Sequence, residues 1–110
     1  MLPLQGIRVL DVSQVMAGPF TCMLLGDMGA DVIKVEPPKV GDSTRRSMGF
    51  RLKGDDSPGF LALNRNKRSI VLDLKDPEDR EVFYALVKTA DVLVENARPG
   101  VSERLGMGYE

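Results

Sequence analysis

Ile7-Arg-Val-Leu-Asp-Val-Ser-Gln-Val-Met-Ala-Gly-Pro-Phe-Thr-Cys-Met-Leu-Leu-Gly-Asp-Met-Gly-Ala-Asp-Val-Ile-Lys-Val-Glu36 is the stretch that decides the fold. Its first six residues form a short run of β-branched and apolar side chains, as a buried strand requires. Ser13 to Gly18 is a loop of mostly small residues, and Pro19 suits the first position of a helix, where its missing N–H costs nothing. From Phe20 through Met28 the helix is apolar around most of its circumference, which predicts burial against a sheet. Gly29 ends it, and Asp31-Val-Ile-Lys-Val-Glu36 reads as a second strand closed by Pro37-Pro38. Strand, helix and strand make one βαβ unit.

Working outward, Lys39 to Arg65 holds Gly41-Asp42-Ser43 and Gly54-Asp-Asp-Ser-Pro-Gly59 as turn clusters and shows no sustained period, so it reads as a long loop. Ser69-Ile-Val-Leu-Asp-Leu74 is a predicted third strand. Asp76-Pro77-Glu78-Asp79 is a helix start, with Asp as N-cap, Pro at the first helical position and acids against the macrodipole. Val82, Phe83, Leu86, Val87 and Ala90 recur at helical spacing and leave Arg80, Glu81 and Lys88 toward water. Asp91-Val-Leu-Val-Glu95 gives a fourth strand, Asn96 to Gly100 a turn, and Val101 to Leu105 a short helix ended by Gly106. Two βαβ units with a loop between them predict an α/β fold with a mostly parallel sheet.

The chain has 110 residues, 43% hydrophobic and 28% charged, enough for one core. A net charge of -1 argues against nucleic acid as a partner, because such binding needs a positive field. With no His and one Cys, imidazole chemistry, Cys-cluster metal sites and an internal disulfide are excluded, and no metal is expected. Cys22, inside the apolar helix, reads as a buried inert thiol. Together with the lack of a signal peptide or a membrane-spanning apolar run, this predicts a reducing, cytoplasmic compartment and no membrane partner.

Open parallel sheets bind ligands outside the carboxyl ends of their strands. Those ends are Ser13 to Pro19, Glu36 to Pro38, Leu72 to Lys75 and Asn96 to Arg98. Near Gly18, free backbone N–H groups could receive an anion, or the glycine could serve a tight turn; spacing leaves both readings open. Glu36 stands where dinucleotide folds place a ribose-binding acid, although spacing alone favours a solvated strand-end carboxylate. Arg65-Asn-Lys-Arg68, Arg45-Arg46, Arg98 and Arg104 read singly as surface charges, while their concentration near loop ends points to a polyanionic small molecule. Asp11, Asp27, Asp31, Asp73, Asp91 and Glu95 are candidate catalytic carboxylates with no activating partner visible in sequence. Asp76 and Asp79 are better explained as caps, and Asp31 and Asp91 as strand starts.

Several stretches, taken in order, carry a family resemblance. They are Leu4-x-Gly-Ile-x-Val-Leu-Asp11, Ala17-Gly-Pro19, Leu24-Leu-Gly-Asp-Met-Gly-Ala-Asp-Val-Ile-Lys-Val-Glu-Pro37, Gly41-Asp42 with Thr44-Arg45, and Asn64-x-Asn-Lys-Arg-Ser-Ile70. Leu72-Asp-Leu-Lys75, Ala90-Asp-Val-Leu-Val-Glu-Asn96, Arg98-Pro-Gly100 and Leu105-Gly-Met-Gly-Tyr109 continue the series. The chain resembles the N-terminal segment of the family III CoA-transferases, the CaiB/BaiF group, with α-methylacyl-CoA racemase as a relative. The resemblance implies a Rossmann-like coenzyme A-binding segment over residues 1–110, incomplete relative to the family, inside a homodimer whose chains interlock. It implies transfer of CoA from an acyl-CoA donor to a carboxylic acid acceptor, an aspartate attacking the thioester and then carrying CoA itself as an aspartyl thioester. Carried over by position, CoA contacts fall on Val15, Met16, Ala17, Leu72, Asp73, Leu74, Lys75, Asn96, Ala97, Arg98 and Arg104.

Two residues depart from the pattern. Pro37 stands where some members have an Arg that helps hold the nucleotide, so another basic residue would have to supply that contact. Met16 stands where some formyl-CoA transferases have Gln, and Met cannot donate to a developing oxyanion. Family members are several times longer, and the catalytic Asp and its glycine-rich loop would lie beyond Glu110. The expectation is a shortened product or one piece of a split enzyme completed by a C-terminal chain. The alternatives are a racemase-type fragment and a non-enzymatic CoA-binding or partner-docking module.

Overall fold

Alternating side chains along three adjacent strands divide the molecule into two cores. In the computed structural model, which describes residues 1–50 and 54–110, β1 (Arg8–Asp11), β2 (Asp31–Glu36), β3 (Lys67–Val71) and β4 (Val92–Val94) form one sheet in the order β3-β2-β1-β4. Each pairing is parallel, with Leu10 opposite Ile33 and Leu93, and Val35 opposite Ile70. Val9 and Val32 face Cys22 on one side; Leu10, Ile33 and Val35 face Phe83 on the other. Helix α1 (Ala17–Asp27) covers the first face and α4 (Pro77–Val87) the second. This is the expected α/β architecture of two βαβ units, with every described strand parallel.

Strand order follows from where each unit closes. The chain runs outward from β1 to β2 to β3, and α4 then returns it to β4 on the other side of β1. The direction of winding therefore reverses between β1 and β4, the kind of switch point at which open parallel sheets bind ligands beyond the carboxyl ends of their strands.

Several boundaries differ from the sequence reading. β3 starts at Lys67 and ends at Val71, so Leu72 to Lys75 is a loop and not the end of a strand. The shift is possible because the cationic heads of Lys67 and Arg68 are held by Asp11 and Asp31 while their backbones pair with Val32 and Ile33. Leu72 and Leu74 still bury their side chains, against Phe83. α1 begins at Ala17 with Pro19 as its third residue, since the whole first turn lacks N–H partners. The stretch from Lys39 to Arg65 includes residues 51–53, which lie outside those described, and it is not loop throughout. It contains α2 (Thr44–Ser47) and α3 (Pro58–Leu63), the latter opened by Ser57, whose hydroxyl accepts the Phe60 N–H at 3.1 Å. Ser57-Pro58 is the same cap-then-proline signal as Asp76-Pro77, in a run too short to show a period. At the C-terminus α5 (Val101–Arg104) follows Gly100, whose φ of 86° is the left-handed conformation that glycine adopts freely.

Neither helix buries every apolar residue. α1 buries Gly18, Pro19, Cys22 and Met23 but leaves Phe20 and Leu24 exposed, as is Met28 at its C-cap, so the expectation of burial around most of the helix is corrected to one face. In α4, Phe83 lies in the core with Leu86, and Ala90 just beyond the helix packs against the same core, whereas Val82 and Val87 are exposed. Arg80 does not point to water as its spacing suggested: its guanidinium donates twice to the Leu74 carbonyl, at 3.0 and 2.8 Å.

Candidate functional site

The residues at the carboxyl edge of the sheet are held by a web of local bonds. Val12 N–H donates to Val94 O at 2.9 Å, extending the β1–β4 ladder by one bond. Beyond it, Asn96 brackets the next residue of the facing loop: Gln14 N–H donates to Asn96 Oδ1 at 3.0 Å, and Asn96 Nδ2 donates to Gln14 O at 2.7 Å. Two of the loops expected to hold a ligand are thus joined across the switch point. Val15, Met16 and Ala17 then lead into α1 with their side chains exposed, and Val15 has a φ of 72°. For a β-branched residue that conformation costs about 1–3 kcal/mol and persists only where its surroundings impose it.

Gly18 answers the question that spacing left open in a third way. It lies inside α1 without a positive φ, and a Cβ there would stand 2.2 Å from the Ser13 Cβ. The glycine is therefore required for close contact between α1 and the fully buried Ser13, which brings the helix N-terminus down to the strand end.

Leu72 to Lys75 forms the opposite wall. Leu72 N–H donates to Glu36 O at 3.0 Å, Asp73 N–H to Asp79 Oδ2 at 2.8 Å, and Lys75 N–H to Asp73 Oδ1 at 3.0 Å. A cavity of about 140 Å³ lies between this loop and Val12, Gln14, Pro37, Leu105 and Met107. The structure therefore gathers Leu72, Asp73, Leu74 and Lys75 at one cavity. Met16 and Ala17 line a separate apolar hollow with Phe20 and Leu63, while Asn96, Ala97, Arg98 and Arg104 lie outside both. Lys75, Arg98 and Arg104 are exposed and make no ion pair among the described residues.

The basic run that leads from α3 into β3 plays a different part from the one its composition suggested. Arg65 pairs with Asp27 at 2.6 Å, Lys67 with Asp11 at 2.7 Å and Arg68 with Asp31 at 2.7 Å. Arg45 pairs with Glu36 and Asp56 and lies 3.9 Å over the Phe60 ring. These cations are already engaged within the chain, so the supply for an anionic ligand narrows to the free ones.

Two buried polar groups escaped the sequence reading. Lys34 in β2 reaches Asp42 at 2.9 Å, Ser13 O at 3.0 Å and Asp11 at 3.8 Å, and both carboxylates are buried. Lys67 adds a second buried ammonium, donating to Asp11, the Pro19 carbonyl and Asn64. The signal available in sequence was a Lys at the centre of the strand run Val-Ile-Lys-Val, where only a partnered charge can be buried. Cys22 lies beside this cluster. Burial and the neighbouring Asp11 carboxylate push its thiol up to about 12, in keeping with an inert residue.

Glu36 is likewise not the solvated carboxylate expected. It is buried and receives Arg45 Nε and Nη2, both at 2.7 Å, the Asp42 N–H at 2.9 Å and the Ser69 hydroxyl. Burial works to raise its pKa, but these bonds outweigh it and hold the carboxyl down from 4.5 to about 2. A depressed folded value means that the stabilisation is present in full above 4.5 and is lost as the pH falls toward 2. The gap corresponds to about 3 kcal/mol. We predict that the urea midpoint falls between about pH 5 and about pH 3, and that Glu36→Gln flattens this dependence. Equal slopes for variant and parent would remove Glu36 from the acid response.

Among the described residues, no group of three or more His, Cys, Asp or Glu is arranged to hold a metal ion, and no helix is long and apolar enough to cross a membrane. Comparison with known proteins bears on the chain as a whole. It is 49% identical over its full length to the succinyl-CoA:glutarate CoA-transferase of Mus musculus, spanning 25% of that protein. It is 51% identical over 97% of its length to the formyl-CoA:oxalate CoA-transferase of Rhodopseudomonas palustris strain BisB18, again spanning 25% of the relative. Among solved structures, a CAIB/BAIF family protein from Brucella suis superposes with a TM-score of 0.89 at 41% identity, over 98% of this chain and 29% of the other. The chain thus spans about a quarter of the length of the curated relatives it matches. Residues 4–110 match the model of CoA-transferase family III, and the chain belongs to that family.

Proposed function

We propose that this chain is the coenzyme A-binding part of an enzyme that moves CoA from an acyl-CoA donor to a carboxylic acid acceptor. The observation that carries the reading is the placement of the candidate contacts: Val15 to Ala17, Leu72 to Lys75 and Asn96 to Arg98 follow β1, β3 and β4 at one edge of the sheet, two of them flanking the switch point. Lys75, Arg98 and Arg104 offer uncommitted charge for the phosphates of the cofactor-like substrate. The α1 N-terminus adds backbone N–H groups beside Val15 and Met16. Leu72 and Leu74 bury their side chains and the Leu74 carbonyl is taken by Arg80, so this loop would serve through its remaining backbone and through Asp73 and Lys75. A cavity of about 140 Å³ is smaller than the roughly 300–1,000 Å³ of common ligand pockets, so it would seat only part of so long a molecule.

In this reading the nucleophile is an aspartate in the part of the fold that the longer relatives possess, and an aspartyl intermediate passes CoA to the acceptor. That part is supplied in the cytoplasm by an interlocked homodimer or by a complementary C-terminal chain. The exposed apolar face of Phe20 and Leu24 on α1, with Met28 at its C-cap, suits such a cover. Met16, half exposed at the loop, offers a thioether where formyl or oxalyl chemistry would use a donor, so the acyl group is not assigned to those classes.

Calorimetric titration with CoA tests the proposal. Binding is expected, and Lys75→Ala with Arg104→Ala should weaken it about tenfold at low salt and by less at high salt, because exposed phosphate pairs are screened. No heat at about 1 mM CoA would overturn the binding reading. Unchanged affinity at both salts would remove the two cations from the site.

A further inference from the structure

The strained loop between β1 and α1 is held from beneath by a buried ion pair. Lys34 and Asp42 are 2% and 0% exposed at their side chains and lie 2.9 Å apart. Lys34 also donates to the Ser13 carbonyl at 3.0 Å, fixing the residue from which the loop departs. Asp42 Oδ1 accepts from the Thr44 N–H at 2.9 Å and the Thr44 hydroxyl at 2.7 Å, and reaches across to the Val15 N–H at 3.4 Å. Val15 and Met16 are 48% and 52% exposed, so their own packing does not impose the φ of 72° at Val15. The contacts on that backbone are the Asp42 acceptor beneath Val15 and the Lys34 bond to the Ser13 carbonyl ahead of it.

Burial tends to raise the pKa of Asp42, but Lys34 and Thr44 outweigh it and lower the value, so the carboxylate remains charged. Burying two charges adds little stability compared with apolar side chains of the same size. A lysine at the centre of a Val and Ile strand is thus poorly explained by stability and better explained by what its partner holds.

We propose that Lys34 and Asp42 are a positioning pair, setting the backbone of Val15-Met16-Ala17 in the shape that it presents to coenzyme A. The pair acts through the loop and touches no ligand itself. The inference rests on the CoA reading above for its ligand, and on the loop geometry for its mechanism.

Two charge-balanced double variants of the chain test it. Lys34→Met with Asp42→Ala removes both charges and the acceptor for Val15, while Lys34→Met with Asp42→Asn removes both charges and keeps an oxygen in place. Asp11 and Lys67 still pair in both. The NMR backbone shifts of Val15 report its positive φ, and calorimetry with CoA reports binding. The Ala double is expected to lose the Val15 signature and bind CoA about tenfold more weakly, while the Asn double keeps the signature and binds within about threefold of the parent. If the Ala double does not fold, Lys34→Met with Asp42→Ser replaces it, since a serine can still cap Thr44 and is too short to reach Val15.

Retention of the Val15 signature in the acceptor-less variant, or CoA binding equal to the parent, would overturn the proposal while leaving the CoA reading intact. A parent chain that binds no CoA would overturn the CoA reading instead. In that case the Val15 shifts decide the positioning alone: loss confined to the acceptor-less variant upholds it, and equal shifts in both variants overturn it.

Discussion

Asp11→Asn is expected to cost the chain about 3–5 kcal/mol of unfolding free energy, a large share of the roughly 5–15 kcal/mol that a folded domain possesses. The substitution keeps the shape and the Oδ1 acceptor for the Ser13 N–H, removes the charge, and puts an amide NH2 where Oδ2 accepted from Lys67. Lys67, 2.7 Å from Asp11 in the native chain, is then left buried without a carboxylate partner among the described residues, while Lys34 keeps Asp42. Burial already lowers the Lys67 pKa from 10.5, with Asp11 opposing it, so loss of Asp11 should lower it further. A depressed lysine favours the neutral form on folding, and stability then rises with pH up to the unfolded value. The deficit of Asp11→Asn relative to the parent should therefore shrink as the pH is raised toward 10.5. Lys67→Met in the same background should recover most of the loss at neutral pH. Urea denaturation of the three chains measures all of this, and a deficit that does not depend on pH or on Lys67 would show that the charge pair is not its cause.

Phe83→Ala should destabilise by about 3–5 kcal/mol through the opposite face of the sheet. Phe83 is 1% exposed and packs with Leu10, Ile33, Val35, Leu72 and Leu74, so truncation removes apolar contact from α4, two strands and the candidate ligand loop together. Phe20→Ala, at a side chain 45% exposed on α1, should change stability by only about 0.5 kcal/mol in the isolated chain. The two substitutions delete the same atoms, and their contrast measures burial. Hydrogen exchange extends the test toward function. The Asp73 N–H, bonded to Asp79 in α4, should exchange faster in Phe83→Ala by more than the global loss of stability explains. Exchange that follows global stability alone would separate the Leu72 to Lys75 loop from the core beneath it.

Much of the architecture was legible because it rests on local rules. The run from Ile7 to Glu36 shows β-branched strands on either side of an apolar helix, and Asp76-Pro77 opens α4 as its capping chemistry requires. The parallel sheet of two βαβ units follows from that alternation. The same rules misplaced β3, because a strand that begins with Lys67 and Arg68 looks like surface until Asp11 and Asp31 are known to stand beside them. They also passed over α2 and α3, which are too short to display a helical period.

The candidate ligand edge was readable for a related reason. Strand ends in an open parallel sheet are ligand-binding places whatever their residues, so Val15 to Ala17, Leu72 to Lys75 and Asn96 to Arg98 could be named from position and resemblance. Their division among different hollows could not, since that depends on which side chains the loops bury.

The sequence by itself determined the class of fold and the order of its strands and two long helices, because backbone propensity, capping and apolar periodicity act over a few residues, and its motifs carried the resemblance to the family. Only the tertiary structure decided which charges are spent. Arg65, Lys67 and Arg68 form one basic run in the chain yet answer three different carboxylates, 38, 56 and 37 positions away. An ion pair depends on distance and burial, and neither is encoded in spacing along the chain. For that reason the pair beneath Val15, joining the middle of β2 to the turn before α2, became visible only when the two stood 2.9 Å apart.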